Sequence, residues 1–342
     1  MATTFKTFLN DDVVSTRSLL HEYIPITGTI VTGTYGVLNI KNYSHGMFQS
    51  VYDYPYLSSS ANHIFDISVG LSPVLSSSNN TQNSKKIQIY NQMAQILAGY
   101  DATGSILRFD QDGDILGGGT KHDSVMFLNF ARLITKDEMK KGTFRLTLGT
   151  GSSFSGSPNT GSLLTIGDYG ADTEFRVNSP AGEYGILYTG STPTQGTGVG
   201  LLYYQAGIAV ITSSVFNQSV IDSTKTGTTS VAEAFTGSAI QTISDGIRRR
   251  WNNCEFNNTT ELNSTIYFCR VNNNEFNYSS NPTYLSGSKI RVKNQSTDNP
   301  VSYITTVGLY SSDNELLATA KLSEPLKKDP TNEMILRVRL DY

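Results

Sequence analysis

Short runs of alternating apolar and polar residues, each bounded by Gly, Ser, Thr or Asn, recur along this chain and constrain it to a mainly β fold. The cleanest is Thr143-Phe144-Arg145-Leu146-Thr147-Leu148, which puts Phe144, Leu146 and Leu148 on one side of a strand. Ser, Thr and Asn supply 103 of the 342 residues, and 30 more are Gly, so turn-forming positions are available between all such runs. The expected class is mainly β: antiparallel sheets, sandwich-like, with about three helices and long Gly/Ser/Thr/Asn-rich loops.

Helices are expected in three places. Asn10 caps Asp11-Asp12, whose carboxylates suit a helix N-terminus, and the pattern over 11–22 reads as a helix stopped by Pro25. Over 86–98, Ile89, Met93, Ile96 and Leu97 share a face and Gly99 ends the run. Over 231–251, Phe235, Ala239, Ile243, Ile247 and Trp251 recur every four residues, with Arg248, Arg249 and Arg250 in the last turn. A single turn is expected from Thr135 to Gly142. Strands are expected at 29–32, 35–40, 106–109, 125–130, 261–270 and 289–293. The apolar pair 201–204 and 208–211 reads as a hairpin, as does 303–310 with 315–322, closed by a final strand over 334–342. Two domains are expected, 1–215 and 216–342.

Charge and composition exclude several functions. Lys and Arg number 26 against 29 Asp and Glu, a net charge of −3 that does not suit a nucleic-acid binder. No run of about 20 apolar residues exists to span a membrane, and the first residues lack the pattern of a signal peptide. With 19 Tyr and 15 Phe the chain is too aromatic for a disordered one. Cys254 and Cys269 read as half-buried strand residues, with a cross-strand disulfide or metal ligation as alternatives.

Chemistry-bearing patterns are few. Asp110-Gln111-Asp112-Gly113-Asp114 places carboxylates at alternate positions of a tight loop, as a calcium loop does. Ile115 and Lys121 stand where that loop needs Gly and Glu, so an acidic turn is the preferred reading and the three Asp are a weak metal candidate. His122-Asp123-Ser124 has triad residue types but alternates across a strand. Tyr52, Tyr54 and Tyr56 alternate and read as an aromatic ladder, or as a sugar-stacking platform. The three Arg read as a solvated C-terminal turn, with contact to phosphate or an acidic partner as the alternative. No catalytic residue and no cofactor is expected.

The stretch Pro300-Val301-Ser302-Tyr303-Ile304-Thr305-Thr306-Val307-Gly308-Leu309-Tyr310, continuing through Asn314-Glu315-Leu316-Leu317-Ala318-Thr319-Ala320-Lys321-Leu322, resembles a module of tailed-bacteriophage structural proteins. Segments 274–283 and 202–211 are similar to parts of large virion proteins of marine contractile-tailed phages. The resemblance implies a non-enzymatic place in the virion, in the tail or baseplate, with neck or fibre attachment and a carbohydrate-binding adhesin as alternatives. It implies copies of this chain and other virion proteins as partners, with neither nucleic acid nor membrane. Low charge and abundant Ser, Thr, Asn and Tyr suit such interfaces, which avoid desolvating ions. The interface candidates are Phe235, Ile243, Arg248, Arg249, Arg250, Tyr303, Tyr310, Leu340 and Tyr342, and strand 334–342 is expected to pair across subunits.

Overall fold

A computed structural model describes residues 5–28, 38–75, 81–115, 118–151, 162–190, 197–217, 219, 230–279, 281–293, 295 and 297–342. The strand expected at 29–32 and the first half of that at 35–40 lie outside these residues. So do the centres of the two Gly-rich runs, 152–161 and 191–196. The chain divides into two compact units, one of Leu20–Thr260 and one of Met1–Leu19 with Glu261–Tyr342. That division differs from the expected boundary at 215/216. The reason is long-range strand pairing, which groups the N-terminal segment with the C-terminal one.

In chain order the first strands are β1 (Val13–Thr27), β2 (Ile40–Asn42), β3 (Gln49–Tyr52) and β4 (His63–Leu71), followed by helix α1 (Thr81–Leu97). Next come β5 (Ser124–Phe130), the one-turn α2 (Arg132–Thr135), β6 (Glu138–Met139), β7 (Arg145–Gly149) and β8 (Leu163–Gly167). After the one-turn α3 (Ala171–Glu174) follow β9 (Arg176–Ser179), β10 (Gly182–Thr189), β11 (Gly200–Tyr203) and β12 (Ile208–Thr212). Helices α4 (Val231–Gly237) and α5 (Ile240–Arg249) lead into the long β13 (Trp251–Val271). The mainly antiparallel β expectation holds.

Within Leu20–Thr260 a continuous antiparallel path runs from β13 through β7, β8, β10, β11, β12, β5, β4 and β3 to β2. The β11–β12 hairpin appears as expected, with Leu201 opposite Val210. Strand β4 is buried on nearly every residue, and its partner register sets Phe65 opposite Phe130 and Ile67 opposite Leu128. Trp251 stacks on Phe65 at 4.7 Å, and its indole Nε1 donates to the Ile26 carbonyl at 3.2 Å. Phe130, Phe144 and Phe256 complete that aromatic cluster.

Helix α1 forms as expected but presents a different face. Ile89, Tyr90, Ala94 and Leu97 are buried, whereas Ile96 is 62% exposed. Tyr90 decides this orientation: its hydroxyl donates to the His122 carbonyl at 2.9 Å, and its ring meets Phe109 edge-on. Gly99, at φ +88, returns its N–H to the Ala94 carbonyl and ends the helix.

Four expectations are corrected. Residues 11–22 are not a helix: Asn10–Asp12 forms one 3₁₀ turn and Val13–Thr27 is the extended β1. This strand pairs with β13: Ser15 Oγ meets Thr265 Oγ1 at 3.2 Å, and His21 Nδ1 lies 3.2 Å from Thr259 Oγ1. Pro25 is compatible because β1 ends the hydrogen-bonded path as an edge strand. The helix expected over 231–251 is two helices, broken at Ser238-Ala239, and Trp251 opens β13 instead of closing a helix. The turn expected from Thr135 ends there, because Lys136 takes φ +56 and Glu138–Met139 pairs with β13. Of the strand expected at 106–109, the described structure keeps one isolated bridge, Tyr100 with Ile106.

The second unit carries β14 (Leu285–Ser286) and β15 (Lys289–Ile290), then β16 (Ser302–Tyr310), β17 (Leu316–Lys328) and β18 (Met334–Asp341). The expected strand 289–293 is thus two residues long. Strands β16 and β17 form the expected hairpin, with Asn314 at φ +64 in its turn and Leu309 opposite Ala318. Strand β18 pairs along its whole length with β13, from Ser264 opposite Asp341 to Val271 opposite Met334.

Candidate functional site

The unit of Met1–Leu19 and Glu261–Tyr342 is unusual in what it leaves uncovered. Among its described residues, three hydrophobic side chains are buried (Val271, Tyr284 and Leu309), while sixteen large ones are exposed. Strand alternation produces this directly. Two-stranded β16–β17 has little to pack against, so side chains on both faces meet solvent. The exposed set includes the expected Tyr303, Tyr310, Leu340 and Tyr342, joined by Leu317 and Ile335.

Polar contacts hold this unit in place of a large core. Lys328, fully buried, donates to the carbonyls of Asn273 and Asp329 and to Asn277 Oδ1. Arg270 pairs with Asp12 at 2.9 Å, holding that carboxyl below its ordinary range together with the Leu9 N–H, which is the larger cause. Phe5 meets Tyr310 edge-on at 5.1 Å, so this candidate is partly engaged within the chain. The pairing expected across subunits for 334–342 is made internally with β13, closed by reciprocal backbone bonds between Asn263 and Tyr342. The Tyr342 side chain remains 70% exposed.

The other interface candidates fall elsewhere. Phe235 and Ile243 are fully buried in the core of Leu20–Thr260, so the apolar stripe of α4 and α5 packs on its own sheet. Nor do the three Arg form a solvated turn. Arg248 is buried and bonds Asp245 at 3.0 Å. Arg250 is fully buried and donates to the carbonyls of Gly149 and Gly151, at the start of the first Gly-rich run. Arg249 is half-buried. Asp245 thus takes the terminal nitrogen of Arg248, and the Gly149 and Gly151 carbonyls take that of Arg250.

Asp110, Asp112 and Asp114 do converge. Each offers a carboxylate oxygen, and these oxygens lie within 4.8 Å of one another. A short ladder positions them: Gln111 N–H donates to the Thr120 carbonyl at 3.0 Å and His122 N–H to that of Phe109 at 2.9 Å. Asp110 therefore faces Lys121, and the two form a buried ion pair.

The remaining candidates separate. His122 is buried and held neutral, its pKa pushed down to about 4 by burial. Asp123 instead pairs with Arg108 at 2.8 Å, and Ser124 Oγ donates to Ser213 Oγ. Asp123 and Ser124 thus turn to different partners, and neither of these is His122. Tyr52 lies in β3, whereas Tyr54 and Tyr56 follow it outside the strand; Tyr52 and Tyr56 keep a tilted ring contact at 6.3 Å, but no continuous ladder forms. Cys254 and Cys269 are free thiols on the same strand. An open groove of about 300 Å³, lined by Pro73, Val74, Tyr90, Asn91, Ile106 and Arg108, offers that already paired Arg as its one charged side chain.

Two buried ionisable residues had no signal in the sequence. Asp168, fully buried, accepts from the backbone N–H groups of Gly142 (2.7 Å) and Phe144 (3.0 Å), from Arg145 (3.0 Å) and from the Tyr204 hydroxyl (3.0 Å). Burial outweighs these donors and pushes its pKa up to about 6. Lys86, also fully buried, donates to the Phe235 and Ser238 carbonyls at the end of α4, and burial lowers its pKa to about 8. Both act as structural clamps on backbone. No helix among the described residues is long and apolar enough to cross a membrane. No family model matches this chain, and no curated protein or solved structure matches it significantly.

Proposed function

We propose that this protein is a structural component of a tailed-bacteriophage virion, in the tail or baseplate, and that it works through β-rich subunit interfaces. One coincidence carries the reading. Residues 300–322, which resemble a module of phage structural proteins, also hold Tyr303, Tyr310, Leu316 and Leu317, all exposed. A unit with three buried hydrophobic residues and sixteen large exposed ones has the composition of half an interface. Its partners are copies of this chain and other virion proteins. The role is mechanical: exposed apolar rows on β16, β17 and β18 supply contact area, and Ser, Thr, Asn and Tyr supply neutral hydrogen bonds.

Localisation tests this. Gold-labelled antibody raised against the full chain is expected to mark the tail or its base on intact particles under the electron microscope. Particles that carry none of this chain, or label confined to the head, would overturn the reading.

A further inference from the structure

The acidic loop has chemistry that a structural role does not use. Asp110 is completely buried, its Oδ2 takes the Lys121 ammonium, and its Oδ1 has no hydrogen-bond donor among the described residues. A buried acceptor without a donor is uncommon and calls for an explanation. Gly119 locates the space beside it. A Cβ at that glycine would stand 3.2 Å from Asp110 Oδ1 and 3.5 Å from Asp112 Oδ2, so both oxygens border the volume that the missing side chain leaves open. Asp112 and Asp114 are half-buried, which leaves the space reachable from solvent.

Charge points the same way. Three carboxylates and one ammonium leave two negative charges in a cluster 4.8 Å across. The loop is braced from outside: the Tyr184 hydroxyl donates to the Gly113 carbonyl at 2.8 Å, and Asn178 Nδ2 to the Asp114 carbonyl at 2.7 Å. Those carbonyls are thereby engaged away from the carboxylates. A hard divalent cation is the species that matches an all-oxygen set with this residual charge.

We propose that Asp110, Asp112 and Asp114 bind one divalent cation, calcium by its tolerance of irregular oxygen coordination, with Lys121 retained on Asp110. Water completes the shell, since Lys121 stands where a calcium loop carries its bidentate Glu. With three protein carboxylates and no bidentate one, the expected dissociation constant is about 10⁻⁴ to 10⁻³ M, the range of weak extracellular modules. The inference does not rest on the virion reading.

The test uses the full chain, freed of metal with a chelator. Titration calorimetry with calcium chloride is expected to show one site, and terbium is expected to luminesce on tyrosine excitation through nearby Tyr184, with calcium quenching the signal. Asp112→Asn and Asp114→Asn, both at half-buried positions, are each expected to weaken binding by about tenfold or more. Folding of each variant is checked by circular dichroism. Two results would overturn the proposal: no calcium heat at about 10 mM with the chain folded, or binding unchanged in both variants. A third would do so as well, namely Asp110→Asn raising the melting temperature of a chain that never responds to calcium. That outcome would show that the cluster holds a shared proton instead.

Discussion

Single residues in this protein are decided by what surrounds them at atomic distance, and Asp168 shows it most clearly. Its ordinary pKa of 3.8 rises to about 6 in the fold. The folded state therefore favours the neutral carboxyl. That contribution is fully present below pH 3.8 and is lost as pH rises through 6, an effect of about 3 kcal/mol. Asp168→Asn cannot ionise, so its melting temperature should gain on the wild type as pH goes from about 4 to 7. Parallel melting curves across that window would mean that the four donors keep Asp168 ionised throughout. Gly70 is governed by distance alone. A Cβ there would lie 2.8 Å from Phe127 and 3.0 Å from Tyr90 Cβ, inside the contact of α1 with β4. Gly70→Ala should cost about 1–3 kcal/mol, read as a lower urea midpoint. Nothing in the pattern of β4 marks that glycine, because the close approach comes from a helix 20 residues further on.

At the scale of elements, the apolar stripe over 231–251 was legible and its continuity was not. Phe235, Ile243 and Ile247 are buried as a stripe should be, yet the helix breaks at Ser238-Ala239. Lys86 stabilises the break by capping the end of α4, which a reading of residues 230–251 alone does not contain. Lys86→Met would leave the Phe235 and Ser238 carbonyls without that donor. It should destabilise the fold by about 1–3 kcal/mol, measured by chemical denaturation. Should the Met variant prove more stable, ammonium desolvation outweighs the cap. The segment 11–22 failed in the opposite direction. Its capping residues suit a helix, but pairing of β1 with β13 overrides that local preference.

For the whole molecule, the imbalance between buried and exposed apolar residues in the C-terminal unit sets the expectation. Under the proposed virion role, changing Leu317 and Ile335, 69% and 62% exposed, to Lys should leave the melting temperature within about 1 °C while abolishing incorporation into particles. Normal incorporation of the double variant, scored by mass spectrometry of purified particles, would remove these strands from the interface. The acidic loop belongs to this scale too, since its three carboxylates meet only because residues 109–111 and 120–122 pair.

Local patterning by itself determined the β class, the 200–212 and 302–328 hairpins and the existence of α1, because alternation and turn residues act over a few positions. Tertiary structure alone decided that β18 pairs with β13, that Arg250 and Asp168 are buried, and which apolar rows stay uncovered. Those outcomes depend on contacts between residues far apart in the chain, and no short-range periodicity encodes which strand becomes whose neighbour.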